Sequence, residues 1–130
     1  MEESIFTKIV KGEIPCHKVY EDEDTLAFLD IHPIVPGHTL VIPKKEVGEV
    51  WDLDAKTYVA VLETARKVAL RLREVLQPVR VGVQVMGLDV PHAHVHLIPF
   101  DTVGEFYHRP DMTAEPDHAA LSAMATKLAF

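Results

Sequence analysis

The chain has 130 residues, 48% of them hydrophobic, and its 13 Lys+Arg against 20 Asp+Glu leave a formal charge of −7. That length predicts one domain over residues 1–130 built on one core, and the acidic balance argues against nucleic acid or an anionic membrane surface as a partner, because both are met first by clustered Lys and Arg. The single cysteine, Cys16, excludes an internal disulfide and fits a reducing, cytoplasmic setting, while the start MEESIFTKIV has neither the basic opening of a signal peptide nor the apolar run of a membrane span.

In chain order, Ser4 is placed to cap a short helix carrying Ile5, Phe6, Ile9 and Val10, with Gly12 to end it and Pro15 to prevent its return. Val19–Glu21 and Thr25–Asp30 are rich in β-formers, and the charged Glu21-Asp22-Glu23-Asp24 between them predicts a hairpin turn. The prolines of His32-Pro33-Ile34-Val35-Pro36-Gly37 keep that stretch out of a central ladder, so it reads as a loop that delivers His38 to a strand over Thr39–Pro43. From Asp52 or Asp54, apolar residues at Tyr58, Val61, Leu62, Ala65, Val68, Ala69, Leu72, Val75 and Leu76 follow one helical face and stop before Pro78. Val79–Met86 and Val90–Pro99 read as two strands joined through Gly87-Leu88-Asp89. Thr113–Phe130 reads as an acidic turn followed by a helix. The sum is an α+β fold with a mainly antiparallel sheet.

Eight histidines are present, and three of them stand at alternating positions in Val90-Pro91-His92-Ala93-His94-Val95-His96-Leu97-Ile98-Pro99. Strand geometry turns the three imidazoles to one face and Ala93, Val95 and Leu97 to the other. Three readings are open. A solvated polar face is the plainest, but such an alternation arises by composition alone only about a few per cent of the time. A metal site is limited by reach: at about 3.3 Å per residue His92 and His96 lie about 13 Å apart, whereas zinc needs its nitrogens within about 2.1 Å. Two of them would need His38 or His108 as a further ligand. The third reading is catalysis, in which one imidazole attacks phosphorus and its neighbours orient it and stabilise charge, with Lys44 and Lys45 nearby in sequence.

The His-x-His-x-His strand resembles the signature of the histidine triad (HIT) family of nucleotide hydrolases and transferases. Ser4-Ile5-Phe6-Thr7-Lys8-Ile9-Val10, Ala27-Phe28-Leu29-Asp30-Ile31-His32-Pro33 and Pro36-Gly37-His38-Thr39-Leu40-Val41-Ile42-Pro43-Lys44-Lys45 are similar to the family pattern in order and spacing. The likeness covers roughly residues 4–99, leaving 101–130 as a tail. It implies a HIT-like fold with a five-stranded sheet, one long helix and short terminal helices. It also implies that His94 is the nucleophile, that His92, His96 and His38 complete the network around a phosphate, and that no cofactor takes part. Asp30 falls on the ribose-binding acid, and Ile5, Phe6, Ile9, Phe28, Ile31 and Val90 fall on the purine-nucleotide pocket. Gln84 is a further polar candidate beside the phosphate. A homodimer pairing the long helix and a sheet strand is implied too. Two features depart from the pattern. Where some members hold zinc, this chain has Ser4, Thr7 and Glu46, so no zinc site is expected. The loop before the triad is short, Met86 to Pro91, which keeps a nucleotide-binding regulatory module open beside the hydrolase, as the metal reading keeps a metal-dependent hydrolase open. His17, His32, His108 and His118 have no assigned role, although His108 could approach the site from the tail.

Overall fold

The computed structural model describes residues 3–130, and it has an antiparallel five-stranded sheet. The strands are β1 (Lys18–Glu21), β2 (Thr25–Leu29), β3 (Thr39–Pro43), β4 (Arg80–Gln84) and β5 (Val95–Phe100), in the spatial order β1-β2-β3-β5-β4. The helices are α1 (Ile5–Val10), α2 (Ala55–Leu76), α3 (Val103–Phe106) and α4 (His118–Leu128). Among the described residues no helix is long and apolar enough to cross a membrane.

Capping sets the limits of the helices. The Ser4 and Asp54 side chains accept from the backbone N–H of Thr7 and Thr57, satisfying donors that the first turns of α1 and α2 would leave unpaired. The long helix ends at Gln77, in the left-handed region at φ 52°, with Pro78 after it. Strand parity then separates two faces. Ala27, Leu29, Val41, Val95 and Leu97 join Val61, Ala65, Val68 and Leu72 of α2 and Leu121, Ala125 and Leu128 of α4 in the main core. Each fully buried Val or Leu there is worth about 1.5–3 kcal/mol. A buried contact between the hydroxyls of Thr25 and Thr64, 2.7 Å apart, ties α2 to β2.

The opposite face carries the alternate residues. Phe28 pairs with Leu40, Leu40 with His96, and His96 with Gln84, so these four form a row across the sheet. At the β2–β3 end, Leu26, Phe28, Leu40 and Ile42 pack with Phe6 of α1 in a second, smaller core.

Three expectations change. The strand predicted over Val90–Pro99 begins only at Val95, because Pro91 has no donor and the neighbouring amides are taken elsewhere: His92 N–H donates to the Val90 carbonyl (2.8 Å) and Ala93 N–H to that of Val47 (2.6 Å). The extended alternation nevertheless runs through the segment, since Ala93 still enters the main core. Leu62, placed on the core face by periodicity, is 40% exposed. The tail forms the additional α3, started by a reciprocal Thr102–Glu105 capping box.

Candidate active site

Three histidines on three different supports converge on the face opposite α2. His96 lies on β5, His38 ends the proline-rich loop before β3, and His94 precedes β5. The His94 and His96 rings are 5.1 Å apart at 63°, and those of His38 and His96 5.1 Å apart at 44°. The edge of Phe6 meets His94 at 5.2 Å and His92 at 5.9 Å, so α1 backs the row with an apolar wall.

The hydrogen bonds decide where each proton sits. A carbonyl oxygen only accepts, so the 2.7 Å bond between His94 Nδ1 and the His92 carbonyl puts the proton of His94 on Nδ1 and leaves the lone pair on Nε2. The Ile34 N–H donates to His38 Nδ1 at 3.0 Å, which puts the proton of His38 on Nε2. That proton is donated to His96 Nδ1 at 2.8 Å, so His96 carries its own proton on Nε2. The result is a lone pair on one imidazole and an N–H on its neighbour. Among the described residues neither Nε2 has a protein partner, and no fully buried side-chain nitrogen or oxygen is left unpaired, so both open to the cavity. Burial, reinforced by the His96 ring, pushes His38 down to about 3, and burial with the neighbouring His94 pushes His96 down to about 4. Both are neutral near pH 7.

The cavity has a volume of about 620 Å³ and is lined by Asp30, His38, Gln84, His94 and His96 among others. Asp30 Oδ1 accepts from the His32 N–H at 2.9 Å, and its other oxygen lies 3.7 Å from His38 Nε2. Burial raises the proton affinity of this carboxyl. His92 is fully buried and stands behind the row rather than in it. Its Nε2 donates to the Pro43 carbonyl at 2.8 Å, and its Nδ1 lies 2.8 Å from Ser4 Oγ. Phe6, Ile9, Phe28 and Val90 fall in the smaller core beside the site, whereas Ile5 and Ile31 are half-exposed, Ile31 in a separate apolar pocket against α4.

The far wall of the cavity comes from the tail. Phe106 packs on the Phe100 ring at 5.1 Å, and His32 Nε2 donates to the Ala114 carbonyl at 3.1 Å. Between these anchors Tyr107, His108, Arg109, Pro110 and Met112 face the histidines. Of these residues only His108 is expected near the site from the sequence. The capping box followed by Phe106-Tyr107 was the signal available.

Two groups could be asked to hold metal. Asp30, His38 and His96 offer ligand atoms within 4.8 Å of one another. However, the Ile34 N–H occupies the Nδ1 lone pair of His38 and leaves a proton on its Nε2, so the nitrogen facing this group has no lone pair for an ion. The second group is Ser4, Thr7, Glu46 and His92. Thr7 Oγ1 donates to Glu46 Oε1 at 2.6 Å, Ser4 N–H to the same oxygen at 2.7 Å, and the Ser4 hydroxyl is committed to His92. Two neutral hydroxyls already engaged do not fit the thiolate, imidazole and carboxylate donors that zinc takes.

Comparison with known proteins gives consistent matches. The HIT domain family model matches residues 11–103. The Protein hit of Bacillus subtilis is 34% identical, with 98% of this chain and 96% of that protein covered. An adenosine 5′-monophosphoramidase of Schizosaccharomyces pombe is 38% identical over 73% of this chain and 72% of its own length. The crystal structure of a Hit-like protein involved in cell-cycle regulation from Bartonella henselae superposes with a TM-score of 0.83 at 34% identity, covering 97% and 94% of the two chains.

Proposed function

The chain belongs to the histidine triad family, and on that premise we propose that it cleaves a nucleoside 5′-monophosphate from an amine or a second phosphate, with His94 as the nucleophile. The observation that carries this reading is the paired protonation: a free Nε2 lone pair on His94 beside an Nε2–H on His96, both facing one cavity.

His94 Nε2 attacks the α-phosphorus, and the bond to the leaving group breaks. The imidazole becomes cationic without losing a proton, and its Nδ1–H bond to the His92 carbonyl strengthens as the charge develops. His96 Nε2–H donates to a non-bridging oxygen, where charge spreads during phosphoryl transfer. A departing amine takes its proton from solvent in the open cavity, whereas a departing phosphate needs none. Water then cleaves the phosphorus–nitrogen bond and restores the lone pair of His94. The free oxygen of Asp30 accepts from a ribose hydroxyl, Gln84 sits beside His96 for a phosphate oxygen, and the Phe6 side of the site takes the purine, with Ile9, Phe28 and Val90 behind it.

Adenosine 5′-phosphoramidates come first in this reading, as the name of the fission-yeast relative suggests, and dinucleoside polyphosphates second. The working unit is a homodimer in a reducing cytoplasm, with no nucleic-acid or membrane partner. His94→Ala should abolish turnover of an adenosine 5′-phosphoramidate while the circular dichroism spectrum is kept, and mass spectrometry should find a nucleotidyl adduct on the wild type alone. Wild-type-like turnover by His94→Ala would overturn the assignment. Tight mononucleotide binding with no turnover by the wild type would instead favour the regulatory module that the short loop after Met86 suggests.

A further inference from the structure

The network that orients His94 does not end at His92. His92 is fully buried, and both of its ring nitrogens are used. Because the Pro43 carbonyl only accepts, the proton of His92 is on Nε2 and its Nδ1 accepts; the nearer donor is Ser4 Oγ at 2.8 Å, since Thr7 Oγ1, at 3.3 Å, donates instead to Glu46 Oε1 at 2.6 Å. The Ser4 hydroxyl is itself aimed from two directions. Its oxygen accepts from the Thr7 N–H at 3.0 Å as the cap of α1, and the Ser4 backbone N–H is held by Glu46 Oε1. Thr7 Oγ1 donates to the same carboxylate, and these bonds hold Glu46 below the usual carboxylate range. A chain of contacts therefore runs from Glu46 through Ser4 and the ring of His92 to the carbonyl that receives His94 Nδ1–H.

We infer that Ser4, the cap of the helix behind the site, is a positioning residue for the nucleophile: its hydroxyl proton fixes the tautomer and orientation of His92, and through the His92 carbonyl the direction of the His94 lone pair. The inference rests on the reading of His94 as the nucleophile. Ser4 touches no reacting atom and stands outside the cavity lining. Its removal would leave the buried ring nitrogen only the longer contact to Thr7 Oγ1, 3.3 Å away and already donating to Glu46 Oε1 at 2.6 Å, whereas unpaired buried side-chain nitrogens and oxygens are absent among the described residues. The titratable groups facing His92 are Glu46 and His94; the first favours a proton on the ring and the second opposes it. With the Ser4 donor gone, Nδ1 is free to take up a proton facing Glu46.

The test is steady-state kinetics of Ser4→Ala and Ser4→Thr on an adenosine 5′-phosphoramidate, from pH 4.5 to 8, beside wild type and His94→Ala. Ser4→Ala should lower kcat about tenfold with KM within about twofold, as expected when a reacting group is misaimed and binding is kept. The acid limb of its kcat profile should move to higher pH. Ser4→Thr, which keeps the hydroxyl, should restore most of the rate. Nitrogen-15 spectra of the imidazoles should show the Nε2–H form of His92 in wild type and in Ser4→Thr, and a mixture in Ser4→Ala. If Ser4→Ala loses thermal stability yet keeps the wild-type kcat, acid limb and His92 spectrum, Ser4 is a helix cap only and the inference fails. If His94→Ala turns over normally, the nucleophile assignment fails instead, and the two failures are distinct.

Discussion

At the scale of the residue, the site depends on keeping buried imidazoles neutral, and this has a cost that varies with pH. An unfolded histidine takes up a proton near pH 6.5, whereas folded His96 resists until about 4 and folded His38 until about 3. Between those limits the unfolded chain binds more protons than the folded one, so stability falls as the pH drops below about 6.5. The loss approaches about 1.4 kcal/mol per pH unit for a fully buried histidine. Asp30 acts in the other direction, since its raised proton affinity favours the folded state as the pH falls through the carboxylate range, but it is one group against His38, His96 and the buried His92, whose proton affinity burial also lowers. The midpoint of thermal unfolding should therefore decline from pH 6.5 to 4.5, and His38→Asn should make that decline shallower. An unchanged slope in the variant would show that His38 is not held neutral by its surroundings. The same neutrality serves the chemistry, because a protonated His96 would no longer accept from His38 and its ring would lose the bond that sets its direction.

At the scale of the element, the long helix ends against a conformational preference. Gln77 closes α2 in the left-handed region, its N–H donating to the Arg73 carbonyl, a position where an L side chain costs about 1–2 kcal/mol and glycine costs little. The side chain is exposed and no hydrogen bond of the described residues depends on it. Gln77→Gly should raise the stability to urea by about 1 kcal/mol, less whatever glycine adds to the entropy of the unfolded chain; a lower midpoint would mean that the Gln77 side chain makes a contribution of its own. This end of the helix was readable from Pro78, as the start was from Asp54, because caps and breakers act within a few residues. The two faces of the sheet were readable as well, since parity fixes on which side each residue lies, and His92, His94 and His96 are correctly placed by it. The beginning of β5 was not. A period of two reports extended backbone and cannot tell a ladder from the segment Val90–His94, whose amides turn to Val90 and Val47. Nor could spacing show that the Ile34 amide sets the tautomer of His38, or that residues 107–112 wall the cavity, because these contacts join loops whose paths depend on the finished fold.

At the scale of the whole molecule, the two edges of the sheet are finished differently, and the difference underlies a prediction about how a second copy pairs. At β1 the Val19 carbonyl accepts from the Phe130 N–H, and the Phe130 ring stacks on Tyr20 at 4.8 Å, so the last residue covers that edge. At β4 no backbone hydrogen bond among the described residues joins the outer edge to another segment. An uncovered edge invites pairing, and Val83 on this one is 59% exposed on the face that carries α2. The helix presents matching surface. At about 100° per residue, Val59, Leu62 and Leu70 fall within a sector of about 80°, separate from the core-facing Val61, Ala65, Val68 and Leu72. Val59 is 63% exposed, and the exposure of Leu62 that periodicity did not foresee belongs to this second stripe. A two-fold axis beside β4 would join the edges of two copies into one antiparallel sheet and lay the two α2 stripes against each other, a self-complementary contact of the closed kind common in homodimers. Sedimentation at micromolar concentration should give the mass of a dimer, and Leu62→Glu with Val83→Glu, which brings like charges together near the axis, should give a monomer with an unchanged far-ultraviolet spectrum. A wild-type monomer would overturn the arrangement. A dimer that withstands both substitutions would place the interface elsewhere, since two buried carboxylates facing their copies across an axis cannot both stay ionised without separating the subunits.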